Sequence, residues 1–118
     1  MDIGSAAGTF LFAAGGEYKN RLGVELTKQS REFSIKNFGL KVFKSVGEIS
    51  FKGVSAVTFW HSLEHIPFGK DVDTVFDKIG REAEDEVRVI ISVPNNRFWL
   101  DRLARENNTY YDSSSHFH

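Results

Sequence analysis

Two nearly continuous apolar runs constrain the fold of this chain more than any other feature. Residues 54–60 and 87–93 are rich in β-branched and aromatic side chains, which is typical of strands buried on both faces. Between the two runs, Val72, Val75, Phe76 and Ile79 recur at helical spacing. Strand, helix and strand in this order predict an α/β fold with a parallel sheet covered by helices.

The same alternation begins near the amino terminus. Residues 21–26 are predicted to form a strand, Thr27 to cap a helix that ends before Gly39, and residues 40–43 to form the next strand. Such repeated units have right-handed crossovers, and their ligands bind beyond the carboxyl ends of the strands. The length of 118 residues allows a single domain over residues 1–118.

A turn of small residues precedes the first predicted helix. Residues 2–9 contain Gly4 and Gly8, and Glu25 lies 17 positions after Gly8, at the end of the next predicted strand. A small-residue turn serves close packing or lets a ligand approach the backbone, and a carboxylate facing it can bind both hydroxyls of a ribose. A nicotinamide dinucleotide usually needs a Gly-x-Gly-x-x-Gly turn for its pyrophosphate, whereas S-adenosylmethionine has no phosphate.

Composition excludes several classes of function. Fifteen Lys and Arg residues against 16 Asp and Glu residues give a net charge of −1, so no overall field favours nucleic acid or a membrane surface. The chain shows no membrane-spanning run and no signal segment, so we expect a cytoplasmic protein. The absence of cysteine excludes disulfides, thiolate nucleophiles and cysteine-bound zinc.

Four stretches carry a family resemblance, namely residues 2–11, 23–26, 58–67 and 90–96. In order and spacing the chain resembles the class I S-adenosylmethionine-dependent methyltransferases, particularly the branch related to ubiquinone-type O-methyltransferases. The resemblance implies a three-layer, Rossmann-like sandwich with a mostly parallel sheet in the order 3-2-1-4-5. It also implies methyl transfer from S-adenosylmethionine to a small-molecule acceptor.

The resemblance further implies a cofactor cleft beside the turn. Glu25 would hold the ribose, Leu26 would pack on the adenine, and Asp2 would lie near the methionine ammonium group. The end of the fourth strand would close the methionine side. The implied cofactor contacts are Asp2, Gly4, Ser5, Ala6, Gly8, Glu25, Leu26, Val46, Phe59, Trp60 and His61.

Compared with such relatives, the chain is expected to be truncated at both ends. Most of the first strand and the usual carboxyl-terminal strand pair would be missing, and stability in isolation would be low. A truncated, non-catalytic domain that only binds the cofactor is therefore an alternative to an active enzyme. Neither the acceptor nor the oligomeric state is predicted.

His61, Glu64 and His65 form a polar cluster after the fourth strand. His61 or His65 is a candidate general base, since histidine titrates near neutral pH. The simpler alternative is a loop held by hydrogen bonds, and a less favoured one is a metal-dependent hydrolase. No metal is predicted, because histidine replaces the first carboxylate of a Glu-x-x-Glu-His magnesium pattern and Pro67 interrupts a zinc-peptidase helix.

The carboxyl-terminal tail supplies candidate substrate contacts. In relatives a similar stretch helps to cover the acceptor pocket. The implied substrate-binding residues are Tyr110, Tyr111 and His116.

Overall fold

A computed structural model describes residues 1–66 and 69–95, and in this part the chain forms one parallel sheet. The sheet order is β3-β2-β1-β4-β5, and every strand pair is parallel. The predicted α/β fold and strand order are therefore confirmed. The strands are β1 (Asp2–Ile3), β2 (Leu22–Val24), β3 (Lys41–Phe43), β4 (Ala56–Trp60) and β5 (Arg88–Ser92).

Three α-helices connect the strands in the described part of the chain. They are α1 (Thr9–Ala13), α2 (Lys28–Phe38) and α3 (Lys70–Glu82), and short 3-10 helices cover Ala14–Gly16, Val46–Glu48 and Leu63–His65. Helix α2 ends as predicted at Gly39, whose φ of 62° lies in the left-handed region. Thr27 is the N-cap residue of α2, as predicted, although its side chain makes no capping hydrogen bond within the described residues. Its backbone N–H instead donates to the Glu25 side chain.

The helices cover both faces of the sheet and so produce three layers. On one face, Val57 and Phe59 of β4 pack with Val75 and Ile79 of α3 in the main core. On the other face, Leu11 of α1 packs against Gly23 of β2, in the space that a β-carbon on Gly23 would need. Within residues 1–66 and 69–95, no helix has both the length and the apolar character needed to cross a bilayer.

Strand β5 differs from the prediction of a buried strand. Val89, Ile90 and Ile91 are between 38% and 45% exposed, whereas Val57 and Phe59 of β4 are fully buried. The physical reason is position, because β4 lies between β1 and β5 while β5 is at the edge of the described sheet. An apolar run alone does not distinguish a central strand from an edge strand.

Candidate functional site

The small-residue turn lies at the carboxyl end of β1, where the strand order reverses. Strand β1 is flanked by β2 on one side and β4 on the other. The N–H groups of Gly4 and Ser5 both donate to the carbonyl oxygen of Val24, at 2.8 and 2.9 Å, and Gly8 N donates to Ser5 O at 2.8 Å. In open α/β sheets the crevice at such a reversal is the usual ligand site.

Two glycines of the turn are required by conformation and by packing. Gly4 and Gly8 have φ values of 80° and 79°. A β-carbon on Gly4 would overlap Ser62, and one on Gly8 would lie 2.7 Å from Leu40 Cδ1. The turn is thus clamped against the neighbouring elements and cannot easily change shape.

Glu25 lies beside this turn. Its Oε2 accepts a hydrogen bond from Ala6 N at 2.9 Å, and its Oε1 accepts one from Thr27 N at 2.7 Å. Arg31 Nη1 donates to the backbone carbonyl of Glu25 at 2.8 Å and to that of Leu26 at 2.6 Å. An ionised carboxylate has about four acceptor positions. About two therefore stay open after the backbone contacts are made.

Leu26 and Val46, which are predicted to contact an adenine ring, follow the carboxyl ends of the neighbouring strands β2 and β3. The Leu26 side chain directly follows Glu25 and is 75% exposed, so it presents apolar surface to solvent. Val46 lies in the 3-10 helix after β3 and is only half-buried, with part of its surface packed against the core. The structure does not test their contacts with a ligand, which stay predictions.

Asp2 and Ser5 face the interior of the protein. The Asp2 carboxylate is buried and accepts a hydrogen bond from Thr58 Oγ1 at 2.6 Å. Burial raises the pKa of Asp2, while the Thr58 hydrogen bond and the charged amino terminus oppose the shift. The Ser5 hydroxyl is directed at Gly23 and has no hydrogen-bond partner among the described residues. The Asp2 side chain is thus hydrogen-bonded to β4, whereas the Ser5 side chain only packs on β2. The implied contact of these residues with a methionine group stays a prediction.

Phe59 and Trp60 at the end of β4 point to opposite layers. The Phe59 ring is fully buried and stacks on Phe76 with ring centroids 5.7 Å apart. Its side chain is closed to a ligand, and its implied contact with the cofactor stays a prediction. Trp60 is partly exposed and meets Phe10 edge to face at 5.2 Å.

His61 follows Trp60 and makes two contacts with Ser92 at the end of β5. Its backbone N donates to Ser92 O at 2.8 Å, and its Nε2 lies 3.4 Å from Ser92 Oγ. Its Nδ1 lies 3.8 Å from Oε1 of Glu64. His61 has a φ of 50°, a conformation that non-glycine residues rarely adopt.

The segment after β4 is a single 3-10 turn, Leu63–His65, and not the longer helix that would align the polar cluster. His61 precedes this turn, Glu64 is buried within it, and His65 is exposed. Ser62 Oγ donates to the carbonyl oxygen of Ile3, which joins this segment to the start of the glycine turn. Within the part of the chain that the structure describes, no group of three or more His, Cys, Asp or Glu residues could hold a metal ion.

Two features of the site were not foreseen from the sequence. Ser92 is a hydroxyl residue near the end of an apolar run, and that position at the end of a strand was its only signal. The burial of Glu64 had no sequence signal, because charged residues are usually exposed. Tyr110, Tyr111 and His116 lie outside the described residues.

Comparison with known proteins identifies the fold. No protein-family model and no curated protein matches the chain. Among solved structures, it is similar to an S-adenosylmethionine-dependent methyltransferase from Clostridium acetobutylicum, with a TM-score of 0.69 and 16% identity over 94% of this chain and 48% of that one. A methyltransferase from Archaeoglobus fulgidus gives a TM-score of 0.68 and 18% identity over 99% of this chain and 52% of that one.

A third similar structure is CalS10 with bound S-adenosylmethionine, an amino pentose methyltransferase from Micromonospora echinaspora. Its TM-score is 0.66 at 13% identity, over 80% of this chain and 42% of that one. The chain spans about half the length of these structures. The protein therefore has the Rossmann-like fold of S-adenosylmethionine-dependent methyltransferases.

Proposed function

We propose that this chain binds S-adenosylmethionine beside the glycine turn and that the protein transfers its methyl group to a small-molecule acceptor. The proposal includes the branch related to ubiquinone-type O-methyltransferases, which the four motif stretches favour. The fold supports it, as do CalS10 and two further similar structures, which contain S-adenosylmethionine or S-adenosylhomocysteine. The proposed domain extends over residues 1–118.

The observation that carries the proposal is the position of the Glu25 carboxylate. Backbone N–H groups on both sides fix it at the turn, and about two acceptor positions stay open for the hydroxyls of a ribose. The exposed Leu26 side chain lies next to it and supplies an apolar surface for a base. A rigid acceptor beside an apolar platform is suited to a nucleoside.

The turn itself favours a ligand without phosphate. A pyrophosphate requires free N–H groups at the turn and at the start of the next helix. Here the N–H groups of Gly4, Ser5, Ala6 and Gly8 in the turn already donate to acceptors within the protein, so only the start of α1 offers donors to a phosphate. We therefore prefer a sulfonium nucleoside to a dinucleotide.

Methyl transfer requires few catalytic groups from the protein. Bound S-adenosylmethionine supplies a methyl group that is already electrophilic. The residues of the chain would hold the acceptor in line and exclude water, and Trp60 and His61 at the cleft are suited to do so. His61 and His65 stay candidates for the group that removes a proton from the acceptor.

Binding of S-adenosylhomocysteine tests the proposal directly. We expect the wild-type chain to bind it with measurable heat in calorimetry and to melt at a higher temperature in its presence. Glu25→Ala should weaken binding by about 100-fold or more, because hydrogen bonds to a charged group contribute about 1.5–3 kcal/mol each. Leu26→Ser should weaken it by about 10-fold through loss of apolar contact.

The matched control is Glu32→Ala, which removes an exposed carboxylate of α2 that pairs with the equally exposed Lys28. Its affinity should equal that of the wild type. Wild-type affinity in the Glu25 variant would reject the proposed site. Transfer of a labelled methyl group to any member of an acceptor panel would rule out the non-catalytic alternative.

A further inference from the structure

Glu64 carries a buried carboxylate that has no hydrogen-bond partner among residues 1–66 and 69–95. The residue is 8% exposed, and neither carboxylate oxygen accepts a hydrogen bond from the described residues. Leaving a buried polar group unpaired costs about 1–3 kcal/mol, and more for a charged one. An apolar residue of similar size would therefore serve folding at least as well.

The imidazole of His61 lies beside this carboxylate. The separation of 3.8 Å between Oε1 and Nδ1 is longer than a hydrogen bond. The His61 side chain is 61% exposed, and a shift of about 1 Å would bring the two atoms to hydrogen-bond distance. Contacts between catalytic groups are often long before the reactants bind.

The other nitrogen of the ring faces a hydroxyl group. Nε2 lies 3.4 Å from Ser92 Oγ, and the backbone N–H of His61 is fixed to Ser92 O. The Glu64 carboxylate, the His61 imidazole and the Ser92 hydroxyl thus form a line of successive contacts, which runs from the interior to the carboxyl ends of β4 and β5. Such a line defines which nitrogen carries the proton when the ring is neutral.

We propose that Glu64 is a positioning residue that keeps the His61 proton on Nδ1, so that Nε2 accepts the proton of a hydroxyl group on the methyl acceptor. The inference rests on the proposed function and deepens it, because it assigns the nitrogen that accepts the proton and the residue that orients it. The Ser92 hydroxyl marks the place where the acceptor oxygen would approach Nε2.

The proton and electron pairs balance in this step. The acceptor oxygen forms a bond to the methyl carbon while its proton passes to Nε2. The carbon–sulfur bond breaks, and its electron pair stays on sulfur. The imidazolium that forms lies beside the Glu64 carboxylate, which favours the positive charge, and it then releases its proton to water.

The tautomer of His61 tests the positioning role without any ligand. Long-range ¹H–¹⁵N spectra of the 118-residue chain, at a pH where the ring is neutral, should show the proton mainly on Nδ1. In Glu64→Leu the proton should move mainly to Nε2, as in free imidazole side chains. Glu64→Gln should retain the Nδ1 form, because its amide oxygen can still accept.

Glu32→Leu is the control and should leave the His61 spectrum unchanged. Urea denaturation should show Glu64→Leu to be as stable as the wild type or more stable. The inference would be overturned by the same tautomer in Glu64→Leu and wild type, or by a Leu variant that is clearly less stable. Neither result depends on S-adenosylhomocysteine binding, so the two proposals fail separately.

Phenol is the probe for the acceptor class. Added to the S-adenosylhomocysteine complex, it should shift the Nε2 resonance of wild-type His61, and the shift should be lost in Glu64→Leu. If phenol leaves the Nε2 resonance unmoved in the wild-type complex, the hydroxyl assignment is wrong.

Discussion

Ala6 and His61 are non-glycine residues that adopt left-handed backbone conformations next to the cleft. The conformation costs an L-residue about 1–2 kcal/mol relative to ordinary backbone. Ala6, with a φ of 46°, lies at the exposed tip of the turn, and its N–H donates to Glu25. The strain at this position can therefore be relieved without disturbing the packing around Gly4 and Gly8.

We predict that Ala6→Gly raises the free energy of unfolding by about 1 kcal/mol, since glycine adopts positive φ without strain but loses more entropy on folding. The matched control is Ala7→Gly, at the next position of the turn, which is not among the residues of positive φ. It should lower stability by about 0.5–1 kcal/mol. Urea denaturation measures both, and a loss of stability in Ala6→Gly would contradict the expected strain.

Asp2 gives stability a characteristic dependence on pH. Burial raises its pKa above 3.8, so between that value and the folded-state pKa the folded protein binds more protons than the unfolded chain. The contribution of Asp2 to stability therefore falls as the pH rises through this window. Asp2→Asn keeps an acceptor for Thr58 and should gain stability relative to the wild type as pH increases.

Glu82 provides a comparison of opposite sign. Hydrogen bonds from the Lys78 side chain and the backbone N–H of Phe51 lower the pKa of Glu82 below 4.5. Its contribution is present above that pH and is lost on acidification. From about pH 4 upward, Asp2→Asn should gain stability relative to the wild type as the pH rises, and Glu82→Gln should lose it. Parallel curves for the two variants would refute the Asp2 assignment.

At the residue scale, the sequence predicted which residues lie close together better than it predicted their burial and backbone conformation. The approach of Glu25 to the turn followed from parallel strands whose carboxyl ends meet at one edge. The burial of Glu64 and the left-handed backbone of His61 depend on how one short 3-10 turn packs against its neighbours. Such packing is set by tertiary contacts and has no local pattern.

Among the elements, α3 contributes to the main core while much of α2 faces solvent. Ile79 of α3 is 3% exposed, and Ile35 of α2 is 49% exposed. We predict that Ile79→Ala lowers the free energy of unfolding by about 2–5 kcal/mol because it leaves a cavity. Ile35→Ala deletes the same atoms and should change it by less than about 1 kcal/mol. Equal losses in urea denaturation would contradict this description of the core.

Element type was predictable wherever the pattern was long enough. The helix after the small-residue turn, the helix ending before Gly39 and the strands from residue 54 and residue 87 all occur close to their predicted positions. The error concerns β5, since burial depends on what lies beside a strand and not on its own side chains. Its exposure follows from sheet order, which becomes visible only when the elements are assembled.

At the scale of the whole molecule, the reversal of strand order organises the candidate site. Strands β1 and β4 are neighbours, although Asp2 and its partner Thr58 lie far apart in the chain. Their pairing brings the glycine turn and the His61 segment to one edge, and the Ser62 hydroxyl bridges them through Ile3. The proposed donor and acceptor sides of the candidate site therefore come from different βα units.

The exposed strand β5 has a practical consequence for solution work. Within residues 1–66 and 69–95, β5 is an edge strand whose Val89, Ile90 and Ile91 present apolar surface, and such an edge is a template for intermolecular strand addition. Melting temperatures would then depend on protein concentration, as mass action requires of any associating system. A dilution series is consequently the natural companion to every stability comparison made with this protein.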